Sequence, residues 1–385
     1  MKIGLYTIAG SVTVGGGFVL RNDVARAVIE APGRHEFELV GLEKVEPPKG
    51  GVVHRAARKL ARFAPGGRRP PPSKSTMLED EVREHRLDML WFNHLEPTDV
   101  GIPYMLTIFD LQHRLQPWFP EVSAHGQWEQ RESTWADAIR RASIITVGSE
   151  QAKEELGFFY GVPRDRIHAV PFPTPQGAID AAHSATASDT PDVRQKYKIE
   201  GEYLFYPAQF WAHKNHVNLL HALRRLRDQG GIALSLVLTG SDHGNLDHVR
   251  DVAARLDLDR HVHVLGFIPH ADVIALYRGA FALAYVSFFG PENLPPLEAM
   301  AMGCPVLLSD LPGVRTLFGD APVLVDPRSE ASIAGGIRQL VETPDLRQRC
   351  IALGRDIAMK NTCARYVGRI QEILDEFEPV RRCWR

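Results

Sequence analysis

The sequence predicts an α/β protein with two Rossmann-like domains that face each other across a cleft. Short apolar runs typical of buried strands alternate with amphipathic helical segments along the whole chain. The 385 residues are enough for two domains with separate cores. A small, polar and proline-marked tract near the middle of the chain separates two such sets of strands.

The predicted strands are continuously apolar, which indicates parallel sheets covered by helices on both faces. Those of the first half are Ile3–Ile8, Phe37–Leu42, Met89–Asn93, Tyr104–Phe109 and Ile144–Val147. Those of the second half are Tyr203–Tyr206, Leu234–Leu238, His261–Leu265, Leu283–Val286, Val306–Leu308 and Val323–Val325. Because open parallel sheets bind ligands beyond the carboxyl ends of their strands, we expect the site in the cleft between the domains.

These runs divide the chain into consecutive segments. Residues 1–174 form the first domain, with a basic insertion at about 47–78, and residues 196–361 form the second. Residues 175–195 are interpreted as a linker or surface loop, and residues 362–385 as a C-terminal helix.

Composition excludes several classes of protein. A formal net charge of −2 provides no basic field to collect nucleic acid. The four cysteines all lie in the last quarter and show no Cys-x-x-Cys spacing, which favours a reduced protein without a structural metal site. No apolar run approaches the roughly 20 residues that span a bilayer. We therefore expect a cytoplasmic protein that at most attaches to the inner membrane face.

The most informative segment is FGPENLPPLEAMAMGCPV, residues 289–306. Asn293 is suited to cap a helix whose first turn contains two prolines, and Gly303 suits its end before a strand. The amides at Asn293 and Leu294 then favour an anion, above all a phosphate. Glu298, about one turn further, is positioned to accept hydrogen bonds from two neighbouring sugar hydroxyls. A phosphate site beside a diol acceptor is what a nucleotide sugar requires.

The segment YPAQFWAHKNH, residues 206–216, joins a predicted strand to a helix. Its lysine, Lys214, can reach a diphosphate from such a strand-to-helix turn as a point charge.

These two segments resemble the signatures of glycosyltransferase family 4, whose members have the two-domain GT-B fold. The match is close from Glu298 through Val306 and includes Lys214. The resemblance implies a retaining, metal-independent transfer of a sugar from a nucleoside diphosphate to a saccharide or lipid-linked acceptor. It also implies that no further cofactor is needed and that the C-terminal helix crosses back to the first domain. Within the family, this chain is similar to enzymes of bacterial surface polysaccharide synthesis.

The chain departs from the family pattern at two donor-facing positions. The family has a glutamate eight residues before Glu298, where this chain has Gly290, and Glu292 is the candidate replacement. The family also has an arginine five residues before Lys214, where this chain has Gln209. The first change affects the contact with the donor sugar, and the second removes one positive charge from the diphosphate site.

A third departure lies in the first domain, where the family usually has a histidine near the anomeric carbon. Phe109 occupies that position, Asp110 matches the pattern, and His113 follows within Asp-Leu-Gln-His. The resemblance therefore implies catalytic roles for Asp110, His113, Lys214 and Glu292. Arg114 is a further candidate for the phosphates or an acidic acceptor.

The remaining donor-binding candidates lie in turns after predicted strands. Gly16 and Gly17 follow the first strand, where glycine permits close approach of the backbone to a ligand. Phe267 and Ile268 follow another strand at the turn that the family places against the nucleobase, and Gly240 closes a third.

Residues 52–64 of the basic insertion place four cations opposite apolar side chains at helical spacing. Such a helix suits an anionic membrane face, and a solvated insertion without a partner is the alternative.

Two other functions are consistent with these features of the sequence. A nucleotide-sugar 2-epimerase shares the two-domain architecture. A non-catalytic nucleotide-sugar-binding partner subunit would account for the three departures at Gly290, Gln209 and Phe109. The surface-polysaccharide resemblance favours GDP-mannose or a deoxysugar nucleotide as the donor.

Overall fold

The structure is a computed structural model, and it describes residues 1–7, 16–31, 33–41, 74–93, 98, 100–184, 192–290 and 292–384. The predicted membrane-binding helix at 52–64 lies outside the described residues.

Two six-stranded parallel sheets organise the described chain and confirm the predicted fold class. The first has the strand order β2-β1-β3-β4-β5-β6 and the second β12-β11-β10-β7-β8-β9. The strands of the first sheet are β1 Lys2–Tyr6, β2 Glu36–Val40, β3 Met89–Phe92, β4 Tyr104–Ile108, β5 Ile144–Val147 and β6 Ile167–Ala169. Those of the second are β7 Tyr203–Pro207, β8 Ser235–Thr239, β9 Val262–Val264, β10 Ala282–Tyr285, β11 Val306–Ser309 and β12 Val323–Val325.

Helices cover both sheets, as the apolar strands require. In chain order they are Gly16–Glu30, Lys74–His85, Gln112–Leu115, Pro120–Ser123, Gln127–Arg141, Glu150–Tyr160, Gln176–His183, Val193–Tyr197, His216–Gly230, Leu246–Arg255, His270–Gly279, Leu294–Ala301, Val314–Phe318, Glu330–Glu342, Pro344–Lys360 and Cys363–Arg381. Within the described ranges, none combines the length and apolarity needed to cross a membrane.

Strand β6 was not predicted from the sequence. It has only three residues, Ile167 to Ala169, and pairs in register with β5 from Ile145 to Val147. A run this short, with His168 at its centre, is not distinctive in the sequence, so the tertiary pairing decides it.

The predicted linker is partly helical, and the loop prediction for 175–195 is wrong over the helix Gln176–His183. Ala178 and Ile179 are buried, Ala178 within the core of the second domain, and the Gln176 amide donates to Asp23 Oδ2 of the first domain at 2.8 Å. Burial of a small apolar face outweighs the polar composition that suggested a loop.

The helix Cys363–Arg381 packs on the first domain although it follows the second in sequence. Its buried side chains, among them Tyr366, Ile370 and Leu374, belong to the same core cluster as Ile3 and Leu5 of β1. The C-terminal helix therefore connects the second domain back to the core of the first.

Candidate functional site

The candidate site is a cleft between the two domains with a volume of about 590 Å³. Its walls include turns that follow strands of both sheets, as expected for open parallel sheets. Most of the predicted site residues line it: Gly17, Asp110, Gln209, Lys214, Gly240, Phe267, Ile268, Glu292, Asn293, Leu294 and Glu298. Gly16 is the first residue of the helix that follows β1, next to Gly17.

The helix Leu294–Ala301 begins at the cleft, with prolines in its first turn. Because Pro295 and Pro296 have no N–H, the amides of Asn293 and Leu294 are the donors that remain closest to the helix start. The predicted side-chain cap is wrong, because the Asn293 side chain makes no capping hydrogen bond. Its Oδ1 instead accepts from Lys214 Nζ and from the Tyr285 hydroxyl, each at 3.0 Å.

Lys214 reaches the cleft from the turn between β7 and the helix His216–Gly230. The next residue, Asn215, has a left-handed backbone with φ of 59°, and its side-chain amide donates to the carbonyls of Val286 and Pro327 at 2.8 Å. Asparagine tolerates this conformation well, so the turn that aims Lys214 is held rigidly.

Burial lowers the pKa of Lys214 from 10.5 to about 8, against the opposing effect of the carboxylates of Asp110 and Glu121. The ammonium donates to the Tyr285 hydroxyl and to Asn293 Oδ1, both at 3.0 Å. These partners are neutral, and among the residues that the structure describes no carboxylate pairs directly with this ammonium. A partly buried cation of this kind is suited to meet an anionic ligand.

Glu298 lies one turn into the helix that begins at Leu294, about 6 Å along its axis. The Tyr277 hydroxyl donates to its Oε2 at 2.8 Å, which leaves Oε1 to accept from a ligand hydroxyl. Burial raises the pKa of this carboxyl, partly offset by the Tyr277 hydrogen bond.

Glu292 lies opposite the first domain, where the Ser149 hydroxyl donates to its Oε1. Burial raises its pKa to about 7, with the carboxylates of Glu155 and Asp110 acting in the same direction. Gly290 is not a position where a glutamate fits easily, because its φ is +93° and a Cβ there would lie 2.5 Å from Asn293 Nδ2. Glu292 is thus the acidic side chain that this loop presents to the cleft.

Asp110 lines the cleft after β4, and its Oδ1 accepts from the Gln112 amide at 3.0 Å. His113, in contrast, is not brought to the cleft, and its predicted place near a reacting sugar is not supported. Its ring is fully buried in the first domain, with Nε2 3.2 Å from the Tyr160 hydroxyl and the ring edge-on to Trp135 at 4.9 Å. Arg114 pairs with Glu132 and lies over Trp128, so the side chains of His113 and Arg114 both make contacts within the first domain.

Gln209 occupies the position of the expected arginine and lines the cleft. The Trp211 indole N–H donates to its Oε1 at 2.9 Å, and the indole itself stacks on His243 with ring centroids 3.9 Å apart. Since an indole N–H can only donate, this contact assigns the amide oxygen and leaves the Gln209 amino group as its donor toward a ligand.

The sequence analysis missed a pair that joins the domains beside Lys214. The Glu121 carboxylate, in the first domain, accepts from the His213 backbone amide at 3.1 Å and contacts the ring Nδ1. Burial and Lys214 lower the pKa of His213 to about 4, so the ring is neutral at pH 7. His213 precedes Lys214 directly and could have been chosen as a candidate from the sequence. The sequence around Glu121 has no feature that predicts a contact with the second domain.

A second, smaller cavity of about 230 Å³ adjoins the cleft. It shares Phe109, Asp110, Phe289, Gly290 and Glu292 with the larger cavity. One of its walls is the helix Glu150–Tyr160 of the first domain.

Two facing Rossmann-like domains with a ligand-sized cleft between them define the GT-B fold class. A solved structure of Anabaena Alr3699/HepE in complex with UDP and glucose superposes with a TM-score of 0.72 at 18% identity, covering 98% of this chain and 100% of that one. At this identity the likeness shows the fold alone.

Residues 189–356 match the family model described as Glycosyl transferases group 1. The chain is similar to the O-antigen chain mannosyltransferase B of Escherichia coli, at 26% identity over 61% of each chain. It is also similar to the O-antigen chain mannosyltransferase RfbU of Salmonella typhimurium, at 24% identity over 55% of each chain. The matched region thus spans less than two thirds of either relative.

Proposed function

We propose that this protein is a glycosyltransferase that transfers a sugar from a nucleoside diphosphate sugar to a hydroxyl of a saccharide or lipid-linked acceptor. The observation that carries the proposal is the arrangement of Lys214, the helix start at Asn293 and Leu294, and Glu298 along one wall of the cleft. The family match over 189–356 covers this wall, which supports a donor site for a nucleotide sugar.

In this arrangement the diphosphate lies against the Lys214 ammonium and the amides at the helix start. The ribose hydroxyls donate to Glu298, whose position one turn along the helix suits a nucleoside attached to that diphosphate. Phe267 and Ile268 line the same cleft and form the wall for the base. The Gln209 amino group is a neutral donor where the family has a cation, so Lys214 neutralises more of the departing diphosphate.

We expect transfer with retention of configuration. The bond between the anomeric carbon and the diphosphate oxygen breaks, and a bond to the acceptor oxygen forms on the same face. The proton of the acceptor hydroxyl passes to the departing phosphate, while Asp110 and Glu292 stabilise positive charge on the sugar. Because Lys214 and the helix start supply positive charge to the phosphates, we also expect activity to persist in EDTA.

The relatives named as mannosyltransferases make GDP-mannose the first donor to test, followed by a deoxysugar nucleotide. A thermal-shift screen of GDP-, UDP- and dTDP-sugars identifies the donor, since a ligand that binds only the folded state raises its stability by mass action. A shift with none of these nucleotides would contradict the proposal.

Release of nucleoside diphosphate from the donor so identified, measured with and without saccharide acceptors, tests the activity. Acceptor-dependent release supports transfer. Release or rearrangement of the sugar without an acceptor indicates the epimerase alternative, and tight binding without turnover indicates a non-catalytic partner subunit. NMR of the product's anomeric proton then checks retention.

Attachment to an anionic membrane face through residues 52–64 is part of the proposal for lipid-linked acceptors. Co-sedimentation with phosphatidylglycerol vesicles at low salt, compared with phosphatidylcholine vesicles, tests it. Replacing Arg55, Arg58, Lys59 and Arg62 by glutamine is expected to abolish the difference, and an unchanged difference would refute the role of this segment.

A further inference from the structure

The cavity of about 230 Å³ beside the cleft presents, besides Asp110 and Glu292, side chains that the proposed function does not use. We call it the side pocket. Its lining combines apolar and aromatic side chains of both domains with a few polar ones. It meets the donor cleft at Asp110, Gly290 and Glu292. A group bound there would therefore lie next to a sugar held in the cleft.

The volume of the side pocket limits what it can hold. Pockets for drug-sized ligands measure roughly 300–1,000 Å³, and this pocket lies below that range. One ring-sized group fits, whereas an extended chain does not.

Most of the side chains that line the side pocket are apolar, and one large aromatic side chain among them is exposed to solvent. Trp118 lines the pocket but is 66% exposed, with Phe119 as its aromatic neighbour at 6.2 Å between ring centroids. A large aromatic side chain at a pocket mouth is suited to cover the apolar face of an occupant.

Three of the polar side chains that line the side pocket are acidic: Asp110, Glu155 and Glu292. Glu155 is half-buried and accepts from the Gln151 side-chain amide at 2.8 Å, one helical turn away on the same face of the helix Glu150–Tyr160. Asp110 and Glu292 add two carboxyls at the junction with the cleft. Arg328, the cation among the lining residues, is exposed. When ionised, these carboxyls accept hydrogen bonds from hydroxyls and repel phosphates and carboxylates. Burial raises the pKa of Glu155 and of Glu292, so this repulsion is stronger above pH 7 than below it.

We propose that the side pocket receives an uncharged, hydroxyl-bearing ring with one apolar face, such as a neutral or deoxy sugar residue of the acceptor, and discriminates against rings that carry phosphate or carboxylate. The assignment as acceptor site rests on the proposed function. The ring lies with its apolar face toward Trp118 and its hydroxyls toward Glu155 and Glu292, which places one hydroxyl next to the donor sugar.

Saturation-transfer NMR on the full chain, with GDP or UDP present, tests this with four probes. These are methyl α-mannoside, methyl α-rhamnoside, mannose 6-phosphate and methyl glucuronide. We expect the two uncharged rings to bind at least tenfold more tightly than the two anionic ones. Equal binding of charged and uncharged rings, or no binding of either uncharged ring, overturns the proposal.

Two variants locate the binding. Ala152→Trp fills the pocket and is expected to abolish ring binding, whereas Lys153→Trp, on the same helix but outside the lining, leaves it unchanged. Glu155→Gln keeps the shape and is expected to reduce the discrimination against mannose 6-phosphate severalfold. Ring binding that survives Ala152→Trp overturns the proposal.

Nucleotide binding is recorded on the same samples by thermal shift. Retained nucleotide binding shows that Ala152→Trp is folded and that a loss of ring binding is local. Absence of nucleotide binding in the unaltered chain would count against the proposed donor site and not against the pocket, so the two failures are distinguishable.

Discussion

Replacement of Lys214 by methionine is expected to stabilise the free protein and to weaken nucleotide binding, two effects of opposite sign. The ammonium is enclosed by neutral partners, and burial lowers its pKa from 10.5 to about 8. At about 1.4 kcal/mol for each pH unit between 8 and 10.5, keeping this charge costs about 3.5 kcal/mol. Lys214→Met recovers this cost and loses two hydrogen bonds worth about 1 kcal/mol each. The net gain in free energy of unfolding at pH 7 is therefore about 1.5 kcal/mol.

The gain has a definite pH dependence. Between pH 8 and 10.5 the unfolded chain binds more protons at this lysine than the folded chain does, so the stability of the unaltered protein rises with pH. The advantage of Lys214→Met therefore shrinks as pH increases through this window. Urea denaturation at pH 7 and pH 9.5 measures both values.

The same substitution removes the charge that faces the diphosphate. A hydrogen bond to a charged group contributes about 1.5–3 kcal/mol, so the affinity for GDP or UDP is expected to fall roughly 10- to 100-fold by calorimetry. Lys196→Met is the matched control. Lys196 pairs with buried Asp272 away from the cleft, so its loss destabilises the fold and leaves nucleotide affinity unchanged. Unaltered nucleotide affinity in Lys214→Met, or a loss of more than 1 kcal/mol of stability, would refute the reasoning.

Three further predictions concern the other cleft residues. Glu298→Gln is expected to weaken UDP binding about tenfold but 2′-deoxy-UDP binding much less, because the lost carboxylate accepts hydrogen bonds from the ribose hydroxyls. An equal loss of affinity for both nucleotides in calorimetry would contradict the ribose contact. The pKa of Glu292 lies at about 7 against an ordinary value of 4.5, so the folded chain binds this proton more readily and its stability falls as pH rises from 4.5 to 7. Glu292→Gln should remove this fall, so its effect on the free energy of unfolding in urea denaturation should be more favourable at pH 8 than at pH 4 by about 3 kcal/mol. An effect of the same size at both pH values would show the cause to be something else. Gln209→Arg adds a cation and is expected to tighten GDP and UDP binding severalfold at low salt. Trp211→Phe removes the indole N–H that orients the Gln209 amide and is expected to weaken the binding of both nucleotides. No change in affinity in either variant would exclude Gln209 from the phosphate site.

The residues that line the donor side of the cleft were predictable because each lies in the loop after a parallel strand or in the first turns of the helix that follows it. Lys214 follows β7, and Asn293, Leu294 and Glu298 begin the helix before β11. Parallel strands place all such turns at one edge of a sheet, so positions far apart in sequence meet without any further contact being specified.

His113 is an exception to the rule that residues following parallel strands line the cleft. It follows β4 at the correct edge of the first sheet, but the helix Gln112–Leu115 turns its ring inward against Trp135 and Tyr160. Packing of the ring against Trp135, with the Tyr160 hydroxyl and the Glu132 carboxylate beside Nε2, outcompetes exposure to the cleft, and the sequence pattern does not encode this choice of direction.

The sequence by itself determined the fold class, most of the strands and the main polar groups of the cleft, because hydrophobic periodicity and strand-end turns are local properties. Only the tertiary structure decided that Asn293 supports Lys214 instead of capping its helix, that Glu121 joins His213 across the domains, and that the side pocket exists. These features depend on side chains from separate segments competing for the same hydrogen bonds and the same space. Which side chain forms each of these hydrogen bonds is therefore determined only when the domains pack together.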